Sequence, residues 1–264
     1  MRFERYDTLS FEYRGRVLWV TMNGAGSVNA ATRTLHEELS RVFVDIQYDP
    51  DSDVIILTGA GRAFCAGGDM KWFQQMLDAP DEFRNLMPEA KRIITSMLEL
   101  EKPLLCRMNG DAVGLGASLA LLCDMTIADA SARIGDPHVK AGLVAADGGA
   151  LMWPQLIGFP RAKEFLLTGD LLSATQAAEM GLINYAVPAH ELDEKINTLV
   201  TKIAANPRWA VRWTKSSINI PLRELANRIG DAAFAYEILT NGTEDRSEAV
   251  AAFREKRRPN FTGR

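Results

Sequence analysis

Up to Pro188 the chain alternates short apolar runs with glycine-rich turns; beyond it, apolar residues recur at helical spacing. Residues 17–22 (VLWVTM) form a β-rich run closed by Asn23-Gly24, which predicts a strand and a turn. Asn29 is placed to cap a helix on which Leu35, Leu39, Val42, Phe43 and Ile46 share one face, and Asp49-Pro50 stops it. Residues 54–58 are a continuous apolar strand that ends in Gly59-Ala60-Gly61, and residues 103–108 repeat the pattern into Asn109-Gly110. Residues 119–123 read as helix and lead into a strand over 125–128. This succession predicts an α/β fold whose strands are buried on both faces. From 191 to 255 helix formers dominate and no good strand appears. The change of pattern at 190–200 divides the chain into an α/β core, 1–195, and a helical region, 196–264.

Composition narrows the class. Of 264 residues 47% are apolar and 24% charged, with a formal net charge of −4. That balance suits a globular protein and gives no general attraction to nucleic acid or acidic membranes. No apolar stretch is long enough to span a bilayer, and the charged start lacks the core of a signal peptide. Cys65, Cys106 and Cys123 lie in or beside apolar runs without disulfide or metal spacing, as expected of free thiols in a cytoplasmic protein. Among three histidines, His36 and His190 sit in polar, helix-like contexts and are expected at the surface. His138 is then the one candidate for acid–base work near neutral pH.

Two turns carry the chemistry. Phe64-Cys65-Ala66-Gly67-Gly68-Asp69 follows one apolar strand, and Asn109-Gly110-Asp111-Ala112-Val113-Gly114-Leu115-Gly116 follows another and opens an alanine-rich helix. Neither matches a P-loop or a dinucleotide-binding fingerprint. Read singly, each is a turn in which glycine relieves strain. Together, N–H groups from two turns can hold a carbonyl oxygen that is gaining enolate charge.

With Ser27-Val28-Asn29-Ala30, Leu167-Thr168-Gly169-Asp170, residues 177–183 (AAEMGLI) and the ending Phe253 to Phe261, these turns resemble the crotonase (enoyl-CoA hydratase/isomerase) superfamily over essentially the full length. The resemblance implies a crotonase-like spiral of ββα units with a helical C-terminal region, assembled as trimers or dimers of trimers. It implies an acyl-CoA thioester substrate, with oxyanion N–H groups on Gly68 and Leu115. It sets Ala66, Gly68, Asp69, Lys71 and Leu115 beside the coenzyme. Phe253 and Lys256 match positions that reach a neighbouring subunit's coenzyme A, which gives the basic tail a purpose; otherwise it reads as a frayed end. No metal or redox cofactor is implied, and none beyond the coenzyme A of the substrate.

The chain departs from that pattern where the chemistry is done. The two glutamates of familiar hydratases are replaced by Ser118 and His138. Asp147, nine residues after His138 and before Gly148-Gly149, stands where hydratases carry a small residue. His138, Asp147 and Glu237 also resemble the set used by the superfamily's C–C bond hydrolases. Each has a plainer reading: His138 as a loop histidine bonded to backbone, Asp147 as a helix cap, Glu237 as a solvated helix carboxylate. Trp72, Phe73, Met76 and Trp153 fit an acyl pocket or ordinary core. Three functions remain open. One is a hydratase or isomerase using a His138/Asp147 pair, with His138 as a base titrating near about 6.5. The others are a hydrolase splitting a C–C bond, and a CoA-binding protein without catalysis.

Overall fold

The computed structural model describes residues 3–264. Strands β1 (Leu9–Arg14) and β2 (Val17–Met22) form an antiparallel hairpin. Helix α1 (Arg33–Gln47) then returns the chain so that β3 (Val54–Gly59) lies parallel to β2. From here the chain coils. A first strand joins the large sheet, a second joins a small sheet, and a helix closes each turn. The turns are β3, β4 (Ala63–Cys65), α2 (Met70–Asp78) and α3 (Pro80–Glu99); β5 (Leu104–Met108), β6 (Asp111–Val113) and α4 (Leu115–Leu122); and β7 (Met125–Asp129), β8 (Arg133–Gly135), α5 (Gly149–Ile157) and α6 (Phe159–Thr168). After β9 (Leu172–Ser173) and α7 (Ala174–Glu179), β10 (Tyr185–Val187) ends the large sheet, whose order is β1-β2-β3-β5-β7-β10. The small sheet runs β4-β6-β8-β9. This is the ββα spiral that the sequence implied.

Core formation follows the strand pattern. Every residue of β3 is buried because both faces of the large sheet are covered. One face meets the main core, which includes Leu35, Leu39, Val42 and Phe43 of α1. On the other, Trp19, Val54, Ile56, Leu105 and Ile127 meet Leu192 and Ile196 of α8 (Leu192–Ala204). Burying each of those two α8 side chains contributes about 1.5–3 kcal/mol. Helices α9 (Arg208–Ile218), α10 (Ile220–Asn241) and α11 (Glu244–Glu255) complete the helical region, with α10 packed on α3 and α5. No helix of the described residues is long and apolar enough to cross a membrane. All three cysteines are buried free thiols.

Several expectations are corrected. Thr32, not Asn29, caps α1, accepting from the Leu35 N–H. Asn29 adopts a left-handed φ of 52°, and its Nδ2 donates to the carbonyls of Ala60, Ala63 and Phe64, which ties its loop to β4. His36 is buried, because Glu89 of α3 accepts its Nδ1 at 3.3 Å and Trp72 covers the ring. His190 is exposed as expected. Trp153 is wholly buried against Phe165 and belongs to the core, away from the cavity described below. The tail does not fray: Glu248 holds Arg257 and the Asn260 N–H, while Asp245 accepts from the N–H groups of Thr262 and Gly263.

Candidate active site

Parallel pairing of β4 with β6 sets Cys65 beside Ala112, so the two glycine turns leave the small sheet at the same edge. They pack against one another. A Cβ on Gly116 would stand 2.1 Å from the Cys65 carbonyl oxygen, and one on Gly67 2.9 Å from that of Val113. Ala31 fixes the first turn by donating to the Gly67 carbonyl (2.7 Å) and accepting from the Asp69 N–H (2.9 Å). Neither the Gly68 N–H nor that of Leu115, the first residue of α4, donates to another described residue. Ala66 donates to the Val28 carbonyl, and Asp69 caps α2 through the N–H groups of Lys71 and Trp72.

Between the turns opens a cavity of about 640 Å³. Trp72, Phe73, Met76, Phe83, Leu86 and Met87 give it an apolar wall, as expected for the first three. The Phe73 ring lies directly on Gly68, where a Cβ would collide with it. His36, His138, Asp147, Glu237 and Arg246 also line this space. Phe253, expected at a neighbouring subunit's coenzyme, stands in the wall of its own chain. Lys71 and Lys256 are exposed and lie outside that wall.

The polar groups form one cluster. His138 opens a short 3-10 turn after Pro137 and lies over Gly114, with its Cε1 3.5 Å from where a Cβ there would sit. Its Nδ1 is hydrogen-bonded to the buried carboxylate of Asp136, and its Nε2 faces Asp147 Oδ2 at 3.5 Å. Asp147 in turn accepts from Ser118 Oγ at 2.9 Å. Gly148-Gly149 makes this approach possible. A Cβ on Gly148 would stand 2.8 Å from that of Ser118, and one on Gly149 2.1 Å from Asp136 Oδ2. Asp147 is therefore not a helix cap, and α5 starts without one.

Electrostatics shift each of these groups from its ordinary pKa. Burial lowers the His138 pKa, but Asp136, Asp147 and Glu237 together outweigh it and raise it well above 6.5. The site thus shifts the ring upward from the ordinary histidine value, because carboxylates flank both of its nitrogens. Burial raises Asp147, opposed by His138 and reinforced by Asp136. Burial also raises Glu237 to about 8, so it is not a solvated surface carboxylate. Atoms of Asp136, His138 and Asp147 lie within 4.8 Å of one another, close enough to share a cation.

Residues 12–264 match the enoyl-CoA hydratase/isomerase family. The chain belongs to that family of enzymes. Within the crotonase superfamily it is 34% identical to a probable mitochondrial enoyl-CoA hydratase of Dictyostelium discoideum, over 98% of this chain and 92% of that protein. An enoyl-CoA hydratase/isomerase structure from Mycobacterium paratuberculosis superposes with a TM-score of 0.88 at 34% identity, covering 92% of this chain and 97% of the other. A β-diketone hydrolase from Anabaena, bound to (S)-3-oxocyclohexyl acetic acid, gives 0.84 at 30% identity, covering 91% and 96%.

His138, Asp147 and Glu237, named from the sequence, do meet in one cavity with the Gly68 and Leu115 turns. Three further residues were missed. Asp136 sits two residues before His138, a spacing that could have signalled the ring contact. His36 was hidden by its polar flanks. Arg246, wholly buried on α11, gave no local signal at all.

Proposed function

We propose that this enzyme adds water across the α,β double bond of an acyl-CoA thioester, moving protons with Asp147 and Glu237 in place of two glutamates while His138 holds Asp147 in position. The observation that carries the reading is the 3.5 Å approach of His138 Nε2 to Asp147, beside Gly114 and between the two turns. The N–H groups of Gly68 and Leu115 hold the thioester oxygen, where negative charge grows as the enolate forms. The start of α4 adds its partial positive charge. Asp147, made more basic than usual by burial, takes a proton from the attacking water as its oxygen bonds to Cβ. His138, held as an imidazolium by Asp136, fixes Asp147 and steadies its charge before the step. Glu237, protonated up to about pH 8, delivers its proton to Cα. Return of the proton from Asp147 to Glu237 completes a net addition of one water. Backbone at Ala66 and Gly68, with Asp69, Lys71, Phe253 and Lys256, takes the adenine and phosphates of coenzyme A.

A second reading, hydrolysis of a C–C bond β to a carbonyl, is favoured by the likeness to the Anabaena β-diketone hydrolase and by a histidine flanked by carboxylates. Incubation with enoyl-CoA and β-ketoacyl-CoA esters in ¹⁸O-water, followed by mass spectrometry, separates the two. A 3-hydroxyacyl-CoA carrying one ¹⁸O supports hydration. Cleavage to two fragments supports the second reading, and unchanged esters reject both. We also propose assembly as a trimer or a pair of trimers, supported by the exposed Trp209, Trp213, Ile218 and Ile220 on α9 and the start of α10. A single-chain mass by light scattering at micromolar concentration would exclude it.

A further inference from the structure

The cavity wall contains a charge that a hydrocarbon chain leaves unanswered. Arg246 is completely buried. Its Nη1 donates to the Ala141 carbonyl at 2.7 Å, its Nε reaches Asn241 Oδ1 at 3.4 Å, and its Nη2 has no hydrogen-bond partner. The guanidinium lies 4.5 Å from the centroid of the Phe73 ring. No carboxylate among the described residues forms an ion pair with it, although it shares the cavity wall with Glu237. Burial lowers the Arg246 pKa only to about 10, so it remains a cation at neutral pH. Glu237 acts on Arg246 only across the cavity and makes no ion pair with it, so Nη2 has no counter-charge in contact. Buried cations are ordinarily paired, because an uncompensated one is costly.

We propose that the preferred substrates carry a carboxylate on the acyl chain, and that Arg246 is the specificity-determining residue that receives it. This rests on the hydration reading above and names its substrate class. A guanidinium whose Nη1 and Nε are already fixed by Ala141 and Asn241 presents Nη2 in a set plane, which suits a planar carboxylate better than a ketone or hydroxyl. Nη2 is closed to water, and the half-buried Phe73 ring that lies over the guanidinium lines the same cavity. A saturated hydrocarbon tail would leave the charge unpaired, which turns the same residue into a penalty against neutral chains.

The test compares kcat/KM for neutral trans-2-enoyl-CoA esters with that for mono-CoA esters of trans-2-enedioic acids of increasing length. The best acidic ester should exceed the neutral ester of equal length by roughly 30-fold or more, the size expected of a buried charge pair. In Arg246→Met and Arg246→Lys that ratio should collapse. It is read within one preparation, so partial loss of folded protein cancels, and the wild-type ratio decides even if a variant does not fold. Neutral esters hydrated as well as acidic ones, or a ratio unchanged in Arg246→Met, would overturn this inference and leave the hydration reading standing. Hydration of no ester at all would overturn the reading beneath it.

Discussion

Two buried polar clusters, at opposite places in the fold, are built on different terms. Beneath the large sheet, Lys102 Nζ donates to the carbonyls of Ile46 and Asp49 and to Ser52 Oγ, which accounts for all three of its hydrogens. Lys215 of α9 bonds Asp124 and the Lys102 carbonyl, and Asp124 accepts the Leu104 N–H. In the candidate active site, by contrast, Asp136 Oδ2 and Arg246 Nη2 have no partner, and the Glu237 carboxyl makes no hydrogen bond to a described residue. Burial alone does not mark function here. What distinguishes the site is that Arg246 Nη2 and the Glu237 carboxyl stand unpartnered in the wall of a cavity, whereas the Lys102 ammonium spends all of its hydrogens on backbone and Ser52; unpartnered buried atoms also occur away from the cavity, at Arg212 Nε on α9 and Trp153 Nε1.

The sharpest way to break this contrast is to remove Lys102. Lys102→Ala strands three buried acceptors and should cost about 3–5 kcal/mol of stability by denaturant titration. Turnover per folded molecule should not change; a specific loss of activity would mean that the two clusters are coupled.

Glu237→Gln should do the reverse. Turnover should fall by roughly 10²–10³, because the proton donor is gone. Stability should hold or improve, with a sign that depends on pH. In the wild type, burial raises the Glu237 pKa from 4.5 to about 8, so the unfolded chain releases this proton first as pH rises. That costs the wild type stability between 4.5 and about 8, and the variant escapes the loss. Its advantage in denaturation midpoint should therefore grow across that window and level off above it. A variant less stable than the wild type at pH 8 would show Glu237 to be a structural group.

A smaller effect is expected in the pH–rate profile. Wild-type turnover should decline above about pH 8 as Glu237 ionises, and this limb should be absent in Glu237→Gln. The same limb in both enzymes would assign it to another group.

Legibility in the sequence follows the same division. Long apolar runs announced β2, β3, β5 and β7, because strands covered on both faces need continuous hydrophobicity. The small sheet passed unnoticed, since β4, β6 and β8 have three residues each and too little pattern to detect. Gly68, Leu115, His138 and Asp147 could be named because they stand in turns that resemble the family's, matched position by position. Arg246 and His36 were not, because their burial arises from α11 and α1 packing on distant parts of the chain. Residue type alone made both look like surface groups.

The proton acceptor is the step on which the mechanism depends, and Asp147→Asn tests it with the least disturbance of shape. Hydration of the best enoyl-CoA should slow by roughly 10²–10⁴. The dissociation constant of the 3-hydroxyacyl-CoA product should stay within a few-fold, because the Gly68 and Leu115 N–H groups that hold the thioester oxygen are untouched. An Asp147→Asn enzyme that hydrates at the wild-type rate would contradict the assignment of the base.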